Sequence, residues 1–206
     1  MLYNKIIRKK DLFIFAHRGA NKIFKENTID AIEKAIELGC DGVEIDLQKT
    51  KDNKILLFHD EFFIFNHKKK YICKETYKSL SSIFYKLNQA PPNLLEDLIK
   101  VIKENKQMIF NLELKSSKIY NHLLIDRLMQ KVPLKTISNR CIISSFNYFL
   151  LLHLKYIYKY KGPIAVIFEI QNQSWTQTLF IKILIILLKP QFLHLNIENK
   201  NTDLLK

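Results

Sequence analysis

Glycine is scarce in this 206-residue chain, which has 4, alongside 5 prolines, 3 cysteines and 1 tryptophan. Each shortage excludes something. There is no Gly-rich loop of the kind that cradles nucleotide phosphates. The cysteines (Cys40, Cys73, Cys141) are odd in number and lack CxxC spacing, which argues against a disulfide framework or a thiolate zinc site. A reducing compartment, the cytoplasm, is the expectation. No repeat of fixed period and no low-complexity linker interrupts the chain. The most apolar segment, Leu179 to Leu188, carries Lys182 and falls well short of the roughly 20 residues that span a bilayer. The basic start, Met1 to Lys10, leads into Leu12–Ala16, too short for the apolar core of a signal peptide, so it reads as a first strand.

Acidic residues are outnumbered, 20 against 33 Lys+Arg, for a net charge of +13. One reading is a basic surface for phosphate, nucleic acid or anionic lipid. The other is mutational, because Lys, Ile, Asn, Phe and Tyr, all encoded by AT-rich codons, crowd the chain. The lysines are scattered, and Lys68-Lys69-Lys70 is the longest run, so the compositional reading is preferred. Nucleic acid is not expected as a partner. Peripheral membrane contact through Phe62, Phe63 and Phe65 is less favoured than packing of those rings under their own loop.

What is present is an alternation of apolar runs and helical patterns. Strands are predicted at Leu12–Ala16, Gly42–Leu47, Ile55–His59, Met108–Leu114, Cys141–Ser145, Ile164–Phe168 and Phe192–Asn196. They are short and rich in Ile, Val, Leu and Phe, as strands buried on both faces are. Helices are predicted at Ile29–Leu38, Leu94–Glu104, Tyr120–Lys131, Tyr148–Tyr158 and Thr176–Leu188, with Asn27 or Thr28 capping the first and Gly39 stopping it. Lys68–Gln89 reads as a surface excursion with one helical piece, Glu75–Leu87. The pattern implies a TIM-barrel-like (β/α) fold in one domain over residues 1–206, with seven strands where a closed barrel has eight. The expectation is therefore an incomplete barrel lacking the C-terminal eighth strand and helix.

Three of the four glycines (Gly19, Gly39, Gly42) fall in one stretch that also concentrates chemistry. His17 ends the first predicted strand and His59 the third. Glu44 and Asp46 are i and i+2 on a strand, so both point to one side. Glu113 and Lys115 repeat that spacing. Carboxylates sharing a side repel unless a cation or protons compensate, and oxygen-only ligands select a hard ion such as Mg²⁺ or Ca²⁺. His17 and His59 suit a general acid and base. Arg18 has the fork geometry to hold a phosphate, and Lys115 sets a cation beside the substrate. His67, His122 and His153 lack such company and read as surface or structural. His194 has no such company either.

In order, His17-Arg-Gly19, Lys25-Glu-Asn-Thr28, Glu44-Ile-Asp46, His59-Asp60 and Asn111-Leu-Glu-Leu-Lys115 resemble the signature of the glycerophosphodiester phosphodiesterases. Pro92 to Glu96 and Ser144-Ser-Phe146 resemble two further segments. The resemblance runs from about Leu12 to Asn196. It implies a TIM barrel and one divalent cation held by Glu44, Asp46 and Glu113. It further implies an acid–base pair in His17 and His59, phosphate contacts at Arg18 and Lys115, and a small-molecule phosphodiester as substrate. The products would be glycerol 3-phosphate and an alcohol. Departures are Lys25 in place of a proline, a loop after Asp60 without the usual Arg and Gly, and no final Trp-containing strand. Two alternatives stand beside this: a catalytically impaired remnant of a shortened gene, and a lysophospholipase-D-like enzyme on the same fold. No pattern in the sequence sets an oligomeric state.

Overall fold

The computed structural model describes residues 13–116, 122–169 and 175–196. Its main sheet has seven strands. Six are parallel and neighbour one another in the order β1 (Phe15–His17), β2 (Gly42–Lys49), β6 (Ile109–Leu114), β7 (Cys141–Ser145), β8 (Ile164–Glu169) and β9 (Phe192–Asn196). The seventh, β3 (Ile55–Leu57), pairs antiparallel with Leu47 to Lys49 of β2. The predicted count therefore holds, but one direction does not. Only the turn Thr50–Lys54 joins β2 to β3, far shorter than the dozen or more residues a parallel crossover needs. Thr50 closes it, its N–H donating to Lys54 O at 2.9 Å and its Oγ accepting from Lys54 N at 2.9 Å. The place beside β2 falls instead to β6, which follows the excursion.

Helices between parallel strands cover one face. α1 (Ile29–Glu37) starts where Thr28 Oγ accepts from Ala31 N, and ends before Gly39 at φ +79°. Of the two cap candidates, Thr28 is the one used. α3 (Leu95–Glu104), α4 (Leu123–Lys131) and α6 (Tyr148–Tyr156) follow the predicted segments, and α7 (Trp175–Leu188) precedes β9. An unpredicted helix, α5 (Leu134–Arg140), opens just after Pro133, which stands at its N-cap. Among the described residues no helix is long and apolar enough to cross a membrane. Ile32, Leu98, Leu124, Leu128 and Leu151 of these helices meet Val43, Ile45, Phe110, Leu112 and Ile143 of the strands in one core.

The excursion is more ordered than its composition implies. β4 (Phe62–Phe65) and β5 (Lys68–Tyr71) form a hairpin, turning at Asn66 and His67, both at positive φ. A short 3₁₀ turn, Ile72–Lys74, leads to α2 (Tyr77–Lys86), capped by Thr76. Leu56, Ile72 and Leu80 form a separate small core here. The rings of Phe62 and Phe63 pack, on Tyr71 and Phe84 respectively, as preferred from sequence.

Candidate active site

The uncovered face of the sheet is layered. Its lower layer is apolar, with Ile109, Ile142 and Ala165 buried against Phe13 and Phe192. Phe15 lies over Gly42, where a Cβ would fall 2.3 Å from its ring, so a larger residue there would have to displace that ring. One step along each strand the layer becomes polar: Glu44 aligns with His17 and Asn111, and Asp46 with Glu113, which aligns with Ser144. Alternation thus places Glu44, Asp46, Asn111 and Glu113 on one side, all buried.

Glu44, Asp46 and Glu113 converge so that one oxygen of each lies within 4.8 Å of the others. Burial, then the Asp46 and Glu113 charges, push the Glu44 carboxyl well above its usual range. Burial also raises Glu113, although Lys115 opposes it. Lys115 Nζ sits 2.6 Å from Glu113 Oε1 and 3.2 Å from Asp46 Oδ1. Burial pulls its pKa down, but those two carboxylates outweigh it and leave it raised. Two cations face these three buried carboxylates, Lys115 and an Arg18 guanidinium that is shared with Glu26, and negative charge remains in excess. Glu44 Oε1, Asn111 Oδ1 and Ser144 Oγ are buried without a hydrogen-bond partner. An all-oxygen set with unsatisfied acceptors fits a hard divalent ion.

The loop after β1 is built around two residues in left-handed conformations, Arg18 (φ 58°) and Asn27 (φ 55°). Arg18 N donates to Glu44 O at 3.0 Å and to Glu44 Oε2 at 3.1 Å. Its guanidinium lies 3.1 Å from both Glu26 oxygens and 3.3 Å from Asp46 Oδ2. Asn27 clasps Asp46, with Nδ2 donating to Oδ2 at 2.8 Å and Oδ1 accepting from the backbone N at 3.0 Å. Gly19 lets this loop close on α1, since a Cβ there would fall 2.7 Å from the Ala31 backbone.

His17 Nε2 is 3.8 Å from Glu44 Oε2, and its side chain is 65% exposed. Burial of its inner part, then Arg18, lowers its pKa. His59 is 31% exposed, with Nδ1 2.8 Å from Asp60 Oδ1. It follows β3 and so belongs to the excursion, not to the carboxyl end of a parallel strand as the sequence implied. What brings it to the site is Gln48, which sequence reasoning missed. Gln48 is buried and two residues past Asp46 on the same side of β2. Its Nε2 donates to the carbonyls of Phe58, His59 and Asp60 at 3.0, 2.8 and 2.7 Å. The i+2 spacing from Asp46 was the available signal. His194, aligned with Ile167 two residues past Phe192, lies on this face as well, with its imidazole pKa lowered by burial. His122 and His153 stack on the helical side around Asp126, and His67 sits in the hairpin turn.

Parallel strands alternating with covering helices, with the polar layer at the strands' carboxyl ends, define a protein of the TIM-barrel type. The profile described as the glycerophosphoryl diester phosphodiesterase family matches residues 17–197, and the chain belongs to that family. It is 34% identical to a glycerophosphodiester phosphodiesterase of Bacillus altitudinis over 66% of this chain and 58% of that protein. It is 36% identical to the protein YqiK of Bacillus subtilis (strain 168) over the same shares. The chain thus spans 58% of the length of these relatives. A phosphodiesterase of Oleispira antarctica, solved with its product sn-glycerol-3-phosphate, superposes with a TM-score of 0.69 at 22% identity, covering 94% of this chain and 76% of that one. That likeness shows the fold.

Proposed function

We propose that this site hydrolyses glycerophosphodiesters to glycerol 3-phosphate and an alcohol, with a divalent cation, Mg²⁺ or Ca²⁺, held by Glu44, Asp46 and Glu113. The observation that carries this reading is the convergence of three buried carboxylates, with unsatisfied oxygens around them, beside His17. When bound, the cation offsets the diester's negative charge and the charge that builds during displacement at phosphorus. Lys115 and Arg18 add positive charge on either side of Asp46.

His17, held toward its neutral form, takes the proton of the attacking hydroxyl, either that of water or the substrate's own glycerol hydroxyl. In the latter case the alcohol leaves with formation of a cyclic phosphate that water opens to glycerol 3-phosphate in a second step. His59, its Nδ1 fixed by Asp60, presents Nε2 to the leaving oxygen and protonates it as the P–O bond breaks. Gln48 holds the His59 backbone in place.

The test is release of glycerol 3-phosphate from glycerophosphoglycerol, glycerophosphocholine and glycerophosphoethanolamine with Mg²⁺ or Ca²⁺, and its loss on chelation. Absence of turnover on all three, and on lysophospholipids, would overturn the reading. The exposure of His17 on a strand paired on one side among the described residues favours a second reading, an impaired site that binds the cation without turnover. The same assay separates them when run beside a cation titration.

A further inference from the structure

His59 and Asp60 form a ridge between two cavities. One, of about 270 Å³, runs past Glu113, Lys115 and Asn147. The other, of about 300 Å³, opens toward the excursion and is walled by Phe58, Phe63 and Phe84. A diester with its phosphorus beside His59 extends one arm into each. The first cavity, with Lys115 and polar side chains, suits the glycerol phosphate half. The second is left for the alcohol that departs.

The charge of this second cavity is readable. Its two carboxylates are engaged, Glu26 by the Arg18 guanidinium and Asp60 by His59 Nδ1. Its cation is Lys25, whose Nζ lies 5.0 Å from the centre of the Phe84 ring and donates to the neutral amide oxygen Gln89 Oε1 at 2.8 Å. The aromatic surface that would otherwise receive a quaternary ammonium already carries an ammonium. We infer that Lys25 is a specificity-determining residue: the cavity of Lys25, Phe63 and Phe84 receives the leaving alcohol, favours one bearing an anionic group such as a phosphate, and disfavours a cationic one. This rests on the phosphodiesterase reading for which half departs, whereas the charge preference of the cavity is independent of turnover.

Three probes share one glycerol phosphate half and differ in the other: glycerophosphocholine (cationic), glycerophosphoglycerol (neutral) and glycerophosphoglycerol 3-phosphate (anionic). Dissociation constants are measured by calorimetry with cation present, on a His17→Ala background to suppress turnover. The expected order of affinity is anionic, then neutral, then cationic. For one charge placed several ångströms from another in a partly shielded cavity, each step is about five- to tenfold. Lys25→Gln is expected to collapse that order and Lys25→Glu to reverse it. Lys25 is exposed, so both variants should fold, which their melting curves check. An order unchanged in both variants overturns the inference, as does no binding of any probe. Charge-dependent binding without hydrolysis of any diester by the wild-type chain supports the cavity assignment and removes the phosphodiesterase reading. Hydrolysis at rates indifferent to Lys25, with binding equally indifferent, does the reverse.

Discussion

On the helix-covered side of the sheet, Val43, Ile45, Phe110, Leu112 and Ile143 are at most 1% exposed and pack in one apolar core. On the other side the same strands present Glu44, Asp46, Asn111, Glu113 and Ser144, also buried, with Glu44 Oε1, Asn111 Oδ1 and Ser144 Oγ lacking a hydrogen-bond partner. The residues alternate along single strands, so each strand serves both purposes within a few ångströms. One face supplies apolar burial. The other spends stability, because buried acceptors without donors and like charges within 4.8 Å are unfavourable until something binds. Burial alone therefore does not separate core from site here, whereas polar satisfaction does.

The comparison breaks most visibly at His59. His59→Ala is expected to lower turnover by about 10²–10⁴-fold, the usual worth of a general acid or base, while melting temperature and cation affinity stay near wild type. Loss of cation binding instead would show that His59 holds the ion. On the opposite face, Leu112→Ala is expected to cost about 2–5 kcal/mol of stability in denaturant titration, with cation affinity unchanged while the protein is folded. A smaller effect lies between the faces. Gln48→Ala strips the donor from three carbonyls and should cost about 1–3 kcal/mol. It should also lower kcat with KM little changed, because the His59 backbone loosens; equal kcat in folded protein would reduce Gln48 to a structural strut.

The smallest effect is the pH dependence of the chelated protein. Glu44 is raised in the folded state, so its contribution is fully present below the unfolded carboxyl pKa and is lost as pH rises through the folded value. Melting temperature without divalent ion should fall as pH rises above about 4.5, the ordinary Glu range. Glu44→Gln should flatten that fall. Adding the cation to wild type should do the same, because ionised carboxylates are then its ligands. A slope identical in all three would place the repulsion elsewhere.

Sequence made the parallel strands legible because strands buried on both faces are dense in Ile, Val and Leu. The i, i+2 pairs Glu44/Asp46 and Glu113/Lys115 were legible because a strand's period is two. Gln48 was not, since an amide one step further along the pattern has no charge to mark it. The direction of β3 was implicit in a five-residue connection, yet its apolar run resembled the others. The Asn66–His67 hairpin turn lacked glycine, the residue that usually signals such a turn. Nor could the sequence show that the Arg18 guanidinium faces Glu26 and Asp46, because that depends on a backbone turn through positive φ.

The pairing of β2 with β6 has a consequence for how the molecule assembles. Asp46 and Glu113 are opposite one another in the sheet, but β3, the hairpin, α2 and α3 all lie between them in the chain. Closing so long a loop is entropically unfavourable, and non-local strand pairing is slow compared with forming the excursion or the β6–β7–β8 units. The three-carboxylate cluster is therefore expected to form late, after most secondary structure. A divalent ion added during refolding should leave the early phases unaltered. It should act instead on the unfolding limb, slowing the rate at which the completed sheet opens.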